Sequence, residues 1–543
     1  MQADSQRGSA PLWLGASALL VLGISFGLAF WESPMQALWP SLAALLLVVV
    51  TRRVIFGLLL GAFGGALIVA EANPLAAFWA LLVEHLLPAF GSPWKVGALI
   101  FTLLLGGFAA MIEAGGGLRT LVARWLQREG NPRKQLQYST FGLGFVCFFD
   151  GLANAMLLGR VTRSMADRAG VARVKMAYIV DSTSSAIACI AFISTWIGTQ
   201  LSLIAQGLTS EGADERYSPY GLYFQSIPLN FYCLFTLLLV FLVIARNWNF
   251  GSMRRFEREA ASQPPLGEVG ADVGAGASVR SALIPLAVLV GSILAGFSAA
   301  GLLDSATAGE PLLRRIAQGF STSYGPHILV GGSLLGILAA WLCFPRRRMG
   351  ETPPARALWW GIVALLVPVL VLIAAWMLGS VFSALGTAEV LVGLIGERLP
   401  PALLPAGVFV VCALIAFSTG SSWGTMGIAM PLALPLVFGL ETLPIGEGVM
   451  LSAAIAAVFS GAVFGDHCSP FSDTTIVSSI ASGVAPIDHV KTQLPYALTA
   501  AGIAIFAGFL PVGFGWIGLS LAWLPGAVLL IIAAFIFARG SRQ

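Results

Sequence analysis

Eleven consecutive residues, Gly465-Asp466-His467-Cys468-Ser469-Pro470-Phe471-Ser472-Asp473-Thr474-Thr475, bring together two carboxylates, an imidazole, a thiol and four hydroxyls. They follow a small-residue apolar run, Leu451 to Phe464, and lead into Ile476-Val477. Apolar flanks of this kind belong in a bilayer, where an ionisable side chain is costly and marks a functional site by default. Carboxylate and hydroxyl oxygens are hard ligands of the type alkali and alkaline-earth cations prefer, and a carboxylate can exchange such a cation for a proton. Gly465 and Pro470 bracket an expected break, because proline lacks a donor N–H and clashes with the preceding turn. Ser469 then reads as an N-cap, with Pro470 as the first residue of a second half-helix. Asp473 would fall in that half-helix's first turn, where a negative charge is favoured in any case. Asp466 precedes the break and has no such capping use. His467 titrates near neutrality and is a candidate pH modulator, although an isolated core imidazole is as often simply hydrogen-bonded. A zinc centre from Asp466, His467 and Cys468 is excluded, since three adjacent side chains do not converge and no second ligand pair is spaced for one.

Two further stretches carry the same mixture. Asp150-Gly151 interrupts Phe141 to Phe149 and Leu152 to Val161, each too short to span a membrane, so a broken helix or re-entrant hairpin is expected. Asp150 and Asn154 would share a face one helical turn apart, either as ion ligands or as a polar pair sealing the hairpin. Asp181, with Ser182, Thr183, Ser184 and Ser185, divides Met176–Val180 from Ala186–Ile193, and a second interruption is expected there. Ser and Thr also glue helices together, which accounts for the hydroxyls but not for the aspartate. Thr419 to Gly424 contains the G-x-S-x-G pattern of hydrolase elbows. That motif needs a preceding strand, and here it lies between apolar helical runs, so enzymatic chemistry is excluded. A Gly/Ser helix break is expected instead, with Ser421 and Ser422 completing an ion site opposite Asp150.

The rest of the chain must position these groups. With 543 residues, 57% hydrophobic and only 10% charged, and a mean hydropathy of +0.86, it is far from the ~25% charged of a soluble domain. Spans of about 20 apolar residues predict an all-helical polytopic protein of about 12–14 helices, including broken or re-entrant segments. The net charge of +4 is small and sits in loops, the bias of a polytopic membrane protein, and implies no nucleic-acid partner; a lipid bilayer, and small cations at the carboxylates, are the expected partners. Six cysteines are scattered through apolar segments without a C-x-x-C pair and read as small core residues. No cofactor is expected beyond the transported ions. Residues 11–30 read as an uncleaved first helix. The chain divides into a membrane half, 1–245, a Gly/Ala/Pro-rich linker, 246–280, and a second half, 281–543. The halves look related: the Asp150 motif corresponds to Thr419–Trp423, and Asp181 to Asp466, at an offset of about 270 residues. Paired interrupted helices at matching positions are the sequence pointer to a transport site at a repeat interface.

The string GDHCSPFSDTTIVSS resembles the signature of the NhaC family of Na+/H+ antiporters. Phe148 to Trp196 (FFDGLAN, AYIVDSTSSA, ISTW) and Phe417 to Pro431 (FSTGSSWGTMGIAMP) are similar to the same family, and the matching regions run from about 104 to 494. The resemblance implies sodium–proton exchange in the bacterial cytoplasmic membrane, with Asp150, Asp181 and Asp466 carrying Na+ and H+ alternately, Asp473 assisting, and Asn154, Ser182, Thr183, Ser421, Ser422 and Ser469 as neutral ligands. A homo-oligomer is compatible with it. Two positions depart from the family pattern: Gly151 replaces the second of two adjacent acids, and Ser164 replaces a proline. The family's relatives include exchangers of malate, lactate and amino acids, the alternative reading. The cationic residues within the motifs that could meet such an acid are Arg160 and Arg163. Arg52-Arg53, Arg254-Arg255, Arg346 to Arg348 and Arg539 mark one common side, which the positive-inside rule makes cytoplasmic, with both termini on it. Cysteines introduced at positions 254, 347 and 539 should all be labelled from the cytoplasmic face, and labelling of 347 and 539 from opposite faces would overturn the topology.

Overall fold

The computed structural model describes residues 10–537 apart from 32, 52, 119, 122–130, 263–277, 305–308, 321, 346–351, 388, 391–392, 394–399, 441, 471 and 519–520. Among the described residues every regular element is helical. Nine helices among the described residues are long and apolar enough to cross a membrane, or ten if Pro219–Leu229 and Phe231–Arg246, bent by 44°, form one span. Four shorter apolar helices accompany them. Pro74–Gly91, too irregular to place from its sequence, is one such span, and it passes through a π-helical segment at Leu81–Leu86. There the His85 imidazole bonds the Ser380 hydroxyl at 2.9 Å. Most of the basic stretch 119–134 and the arginines at 346–348, 539 and 542 lie outside the described residues.

Ten helices build the polar centre. α1 is Pro132–Val146, α2 Gly151–Ala169, α3 Arg173–Ile190, α4 Phe231–Arg246 and α5 Met253–Ser262. α6 is Leu404–Thr419, α7 Ser422–Phe438, α8 Glu447–Cys468, α9 Asp473–Ser482 and α10 Pro486–Ala504.

One buried carboxylate shows how α1 and α2 are arranged. Glu257 of α5 pairs with Arg133 at the start of α1 (3.1 Å) and with Lys175 at the start of α3 (3.4 Å). It also accepts the Ala172 N–H, three residues beyond α2, at 2.8 Å. The beginning of α1 and the end of α2 therefore lie side by side, and the pair is a re-entrant hairpin with its tip at 147–150. Its legs are 15 and 19 residues long, and neither is among the described helices that are both long and apolar enough to span.

α6 and α7 form a counterpart. Gly420 turns the chain between them at φ +68°. Gly513 lies against the Ala402 carbonyl just before α6, while a Cβ on Gly515 would lie 3.3 Å from the Pro444 carbonyl beyond α7. Both ends of this second hairpin thus sit at 513–515. The apolar span Pro486–Gly513, which α10 begins, connects the two regions: near its start the Lys491 carbonyl accepts the Ser252 hydroxyl beside α5. The hairpins accordingly enter from opposite ends of one span, an inverted arrangement that places their tips near mid-membrane.

The two expected interruptions behave differently. α8 stops at Cys468 and α9 begins at Asp473, so the second half-helix starts three residues after Pro470, with Ser472 rather than Ser469 at its N-cap. Ser469 remains attached to α8 through its N–H to the Gly465 carbonyl, in extended geometry. The expected break at Asp181 is absent, and α3 runs through it unbroken. Its hydroxyls turn back onto their own helix, Thr183 to the Ile179 carbonyl and Ser184 to the Asp181 carbonyl, both at 2.7 Å, so the polar run does not melt the helix. The chain breaks after it, between Ala191 and Trp196.

Small residues permit the closest approach. A Cβ on Gly461 would lie 2.5 Å from the Cys412 Cβ and 2.8 Å from the Phe409 carbonyl, and one on Gly465 would collide with Ala416. α8 therefore packs backbone to backbone on α6 through a G-x-x-x-G face, the way membrane helices associate without a hydrophobic driving force. The first part of the expected linker is α5, which docks: Met253, Phe256 and Ala260 face the core, and Phe250 lies on the Tyr496 ring with centroids 3.9 Å apart. Residues 263–277 lie outside the described residues. Glu257→Ala leaves the fully buried Lys175 ammonium without its carboxylate, an uncompensated charge that costs about 3–5 kcal/mol. Thermal unfolding of the purified protein should show a clear drop in midpoint, and an unchanged midpoint would mean that α5 does not dock.

Candidate ion-binding site

The polar centre gathers where α3, α7, α8, α9 and α10 meet. Asp181, midway along α3, is 0% exposed. One of its carboxylate oxygens, Oδ2, accepts from His489 Nε2 (3.1 Å) and from Gln493 Nε2 (2.8 Å), both on α10. The other, Oδ1, has no hydrogen-bond partner among the described residues, nor do the hydroxyls of Ser182 and Ser185. Asp181 and Ser185 are one helical turn apart and share a face. Orphaned oxygens on one short stretch of helix are costly in an interior and call for an ion or water to satisfy them.

Asp466, in the last turn of α8, stands opposite. Its Oδ1 accepts from the Ser472 hydroxyl at 3.3 Å, and the Ser422 hydroxyl of α7 bonds the same carboxylate. Asp466 also lies within the electrostatic reach of the Asp181 and Asp473 carboxylates. Its backbone carbonyl, left free by the end of the helix, accepts from the Thr474 and Thr475 hydroxyls at 3.2 and 2.5 Å, so α9 clamps the stump of α8. Gln493 joins the two aspartates indirectly: the amide nitrogen that donates to Asp181 also donates to the His467 carbonyl at 2.5 Å. The His467 ring contacts the Tyr232 hydroxyl through Nδ1 at 3.0 Å and leaves Nε2 without a partner among the described residues.

Asp181, Ser182, Ser422, Asp466, His467 and Asp473 therefore belong to one neighbourhood, with Asp473 at its exposed edge as the first residue of α9. Ser422 stands beside Asp466, where the sequence analysis set it opposite Asp150. Ser421 is occupied as the N-cap of α7, its hydroxyl accepting the Gly424 N–H at 3.1 Å. The Thr183 hydroxyl is spent on its own helix. Ser469 is the C-cap of α8. Asp150 lies at the tip of the first hairpin, 8% exposed. Asn154 seals that tip: its amide nitrogen donates to the Gly144 carbonyl of α1 (3.3 Å) and the Thr183 carbonyl of α3 (3.1 Å), leaving Oδ1 unpartnered.

The sequence analysis missed His489, Gln493, Ser472 and Thr475. The signal for the first two was present, because His489 and Gln493 are four residues apart on a helix and point one polar face inward in an otherwise apolar span. Among the described residues no group of three or more His, Cys, Asp and Glu side chains is arranged to hold a metal ion of the zinc kind.

Residues 187–514 match the profile of the Na+/H+ antiporter family, which takes in the broken α8–α9 helix, α10 and the second hairpin. An uncharacterized protein of Haemophilus influenzae is 30% identical over 508 residues, 93% of this chain and 95% of its own. The malate-2H+/Na+-lactate antiporter of Bacillus subtilis is 34% identical over 154 residues, 28% of this chain and 30% of its own. The YdaH transporter of Alcanivorax borkumensis shares the fold at a TM-score of 0.54 and 16% identity, over 82% of this chain and 90% of that one. The residues that build the polar centre fall largely within the matched region, and the chain is a multi-pass membrane transporter, not an enzyme, belonging to the Na+/H+ antiporter family.

Proposed function

We propose that the chain exchanges Na+ for H+ across the bacterial cytoplasmic membrane, with Asp466 and Asp181 as the shared carriers. The observation that carries this reading is the pairing of two buried carboxylates, one of which keeps an oxygen free beside two free hydroxyls. Two neighbouring buried carboxylates need a positive charge between them or a proton on at least one of them. Na+ and H+ therefore compete for the same oxygens, and occupancy by one expels the other. Ser182, Ser185, Ser422 and Ser472 supply neutral oxygens, and the freed backbone at the α8–α9 break is the kind of irregular segment that holds ions in transporters. Gln493 ties α3, at Asp181, to the end of α8, at His467. His489, hydrogen-bonded to Asp181, is placed to hand a proton to it or take one away. Asp150 and Asn154 act from the hairpin tip, as a positioning pair that ties α1 and α2 to α3. The two hairpins, entering from opposite faces, would open the site to one side at a time. Exchange of organic acids with sodium is the second reading, favoured by the name of the Bacillus relative.

In proteoliposomes carrying a pH-sensitive dye, external Na+ should move protons in the antiport direction, while K+ and malate without Na+ should not. Asp466→Asn keeps the shape and the hydrogen bonds but removes both charge and titration. Exchange should fall to the level of empty liposomes while the protein inserts and purifies normally. Normal exchange by the folded variant would remove Asp466 from the carrier role.

Gly151→Asp tests the missing acid. A Cβ at 151 makes ordinary contact, 3.5 Å from the Ser184 carbonyl, so a side chain is admitted facing α3. A carboxylate there, beside Asp150, should alter the ratio of Na+ to H+ exchanged. An unchanged ratio in a well-folded variant would place position 151 outside the ion path.

A further inference from the structure

The break between Ala191 and Trp196 divides one longer crossing. α3 reaches it from the Glu257 end, and the helix Ile197–Ser210 leaves it. The break lies between the two hairpin tips. On one side the Thr195 N–H donates to the Phe149 carbonyl at 2.9 Å. On the other, the rings of Trp196 and Trp423 have centroids 6.0 Å apart, and Trp423 follows Ser422, the partner of Asp466. From there the helix 197–210 runs beside α7, since a Cβ on Gly207 would lie 2.9 Å from the Leu434 side chain, near the far end of α7. It therefore ends on the face opposite Glu257, where the second hairpin opens.

Thr199, Ser202 and Gln206 lie at i, i+3 and i+7 and share one face of this helix. The Gln206 amide donates to the Trp376 carbonyl at 3.0 Å, so that face is turned toward the helix Leu366–Ala384. The Thr102 hydroxyl borders it, 2.7 Å from where a Cβ on Gly198 would sit. All four side chains belong to residues at most 7% exposed. Yet the hydroxyls of Thr102, Thr199 and Ser202 and the Gln206 Oε1 have no hydrogen-bond partner among the described residues, and neither has the Trp376 indole N–H.

Structural hydroxyls in this protein behave otherwise. Those of Ser25, Thr162, Thr183 and Ser333 return to the carbonyl one turn back, at 2.7–2.9 Å. Hydroxyls that glued helices together would be spent across the interface. Polar atoms left open along one seam are costly unless water reaches them. The Lys95 ammonium, 5.5 Å from the Trp376 ring centroid, adds a charge at the Gln206 end of the seam, and a charge there needs water too.

We propose that this seam is the route by which water and the exchanged ions reach the carboxylates from the face opposite Glu257, lined by Thr102, Thr199 and Ser202 and closed by Gln206. This rests on the exchange reading above and gives it a path to one side of the membrane. With every lining group buried, the seam is shut in this conformation, and it opens when the helix 197–210 parts from the helix 366–384.

The test uses the full-length protein with its six cysteines replaced by alanine, in right-side-out and inside-out membrane vesicles. Thr199→Cys, Ser202→Cys and, on the opposite side of the same helix, Ile204→Cys are treated with a membrane-impermeant cationic methanethiosulfonate. Arg255→Cys, exposed on α5, marks the Glu257 face. From the other face, positions 199 and 202 should react about tenfold or more faster than 204, because a thiol must be hydrated to ionise and react. Ile204 is 0% exposed, as Ser202 is, so static burial alone predicts equal rates. Adding Gln206→Ala to Ser202→Cys removes the closing bond and should raise the rate further. Equal rates at the three positions, reaction at 202 from the Glu257 face alone, or no gain from Gln206→Ala would overturn the proposal. The labelling is independent of the ion carried: reaction at 202 without any Na+-evoked proton movement would keep the route and overturn the exchange reading.

Discussion

Asp181 is held by one oxygen. His489 and Gln493 both donate to Oδ2, while Oδ1 and the neighbouring Ser182 and Ser185 hydroxyls face inward without partners among the described residues. A fully satisfied carboxylate would be a structural element, and an unsatisfied one would be driven out of the core. Half-satisfaction anchors the side chain and leaves its other oxygen without a partner among the described residues, at an energetic cost the rest of the fold must offset. Much of the surrounding architecture answers that requirement. α3 stays unbroken because its Thr183 and Ser184 hydroxyls bond backward, α10 contributes its donors one turn apart, and α9 grips the end of α8 through Asp466's own carbonyl.

The second aspartate is reached by a different route. Asp466 sits where a helix ends, so its local backbone is already irregular and rich in free dipoles, while Asp181 sits in regular helix and relies wholly on side chains from α10. Two carboxylates presented by such unlike backbones respond differently to movement. Tilting α9 against α8 changes the hydroxyls around Asp466, through Ser472 and the two threonines, and reaches Asp181 one step removed, through the Ser478 hydroxyl that bonds His489 Nε2 at 3.2 Å. Gln493 is the element common to both, since one amide nitrogen touches Asp181 and the backbone beside Asp466.

The carboxylates, the helical class and the broken α8–α9 element were legible in the sequence because each is a local clash between polarity and an apolar surround. What was not legible is tertiary in origin. The polar run at Asp181 reads as an interruption until one sees that Ser and Thr hydroxyls can bond their own preceding turn. Proline at 470 reads as a helix start until Ser472 is seen turned toward Asp466. His489 and Gln493 were hidden by their distance, more than 300 residues from the aspartate they serve. α5 looked like linker because its three core-facing residues lie among arginines and glutamates, and what fixes it is a single glutamate whose partners come from α1, α3 and the turn after α2.

The contact between Gly461, Gly465 and α6 constrains how the molecule can move. With no side chain between the two backbones, neither helix can slide or rotate against the other without collision, so α6 and α8 behave as one solid piece. Asp466 is carried on that piece, and so is the base of the second hairpin. No gate can form along that seam. Any motion that shifts Asp466 relative to the membrane must have its slip plane elsewhere and must carry the second hairpin with it as a single block.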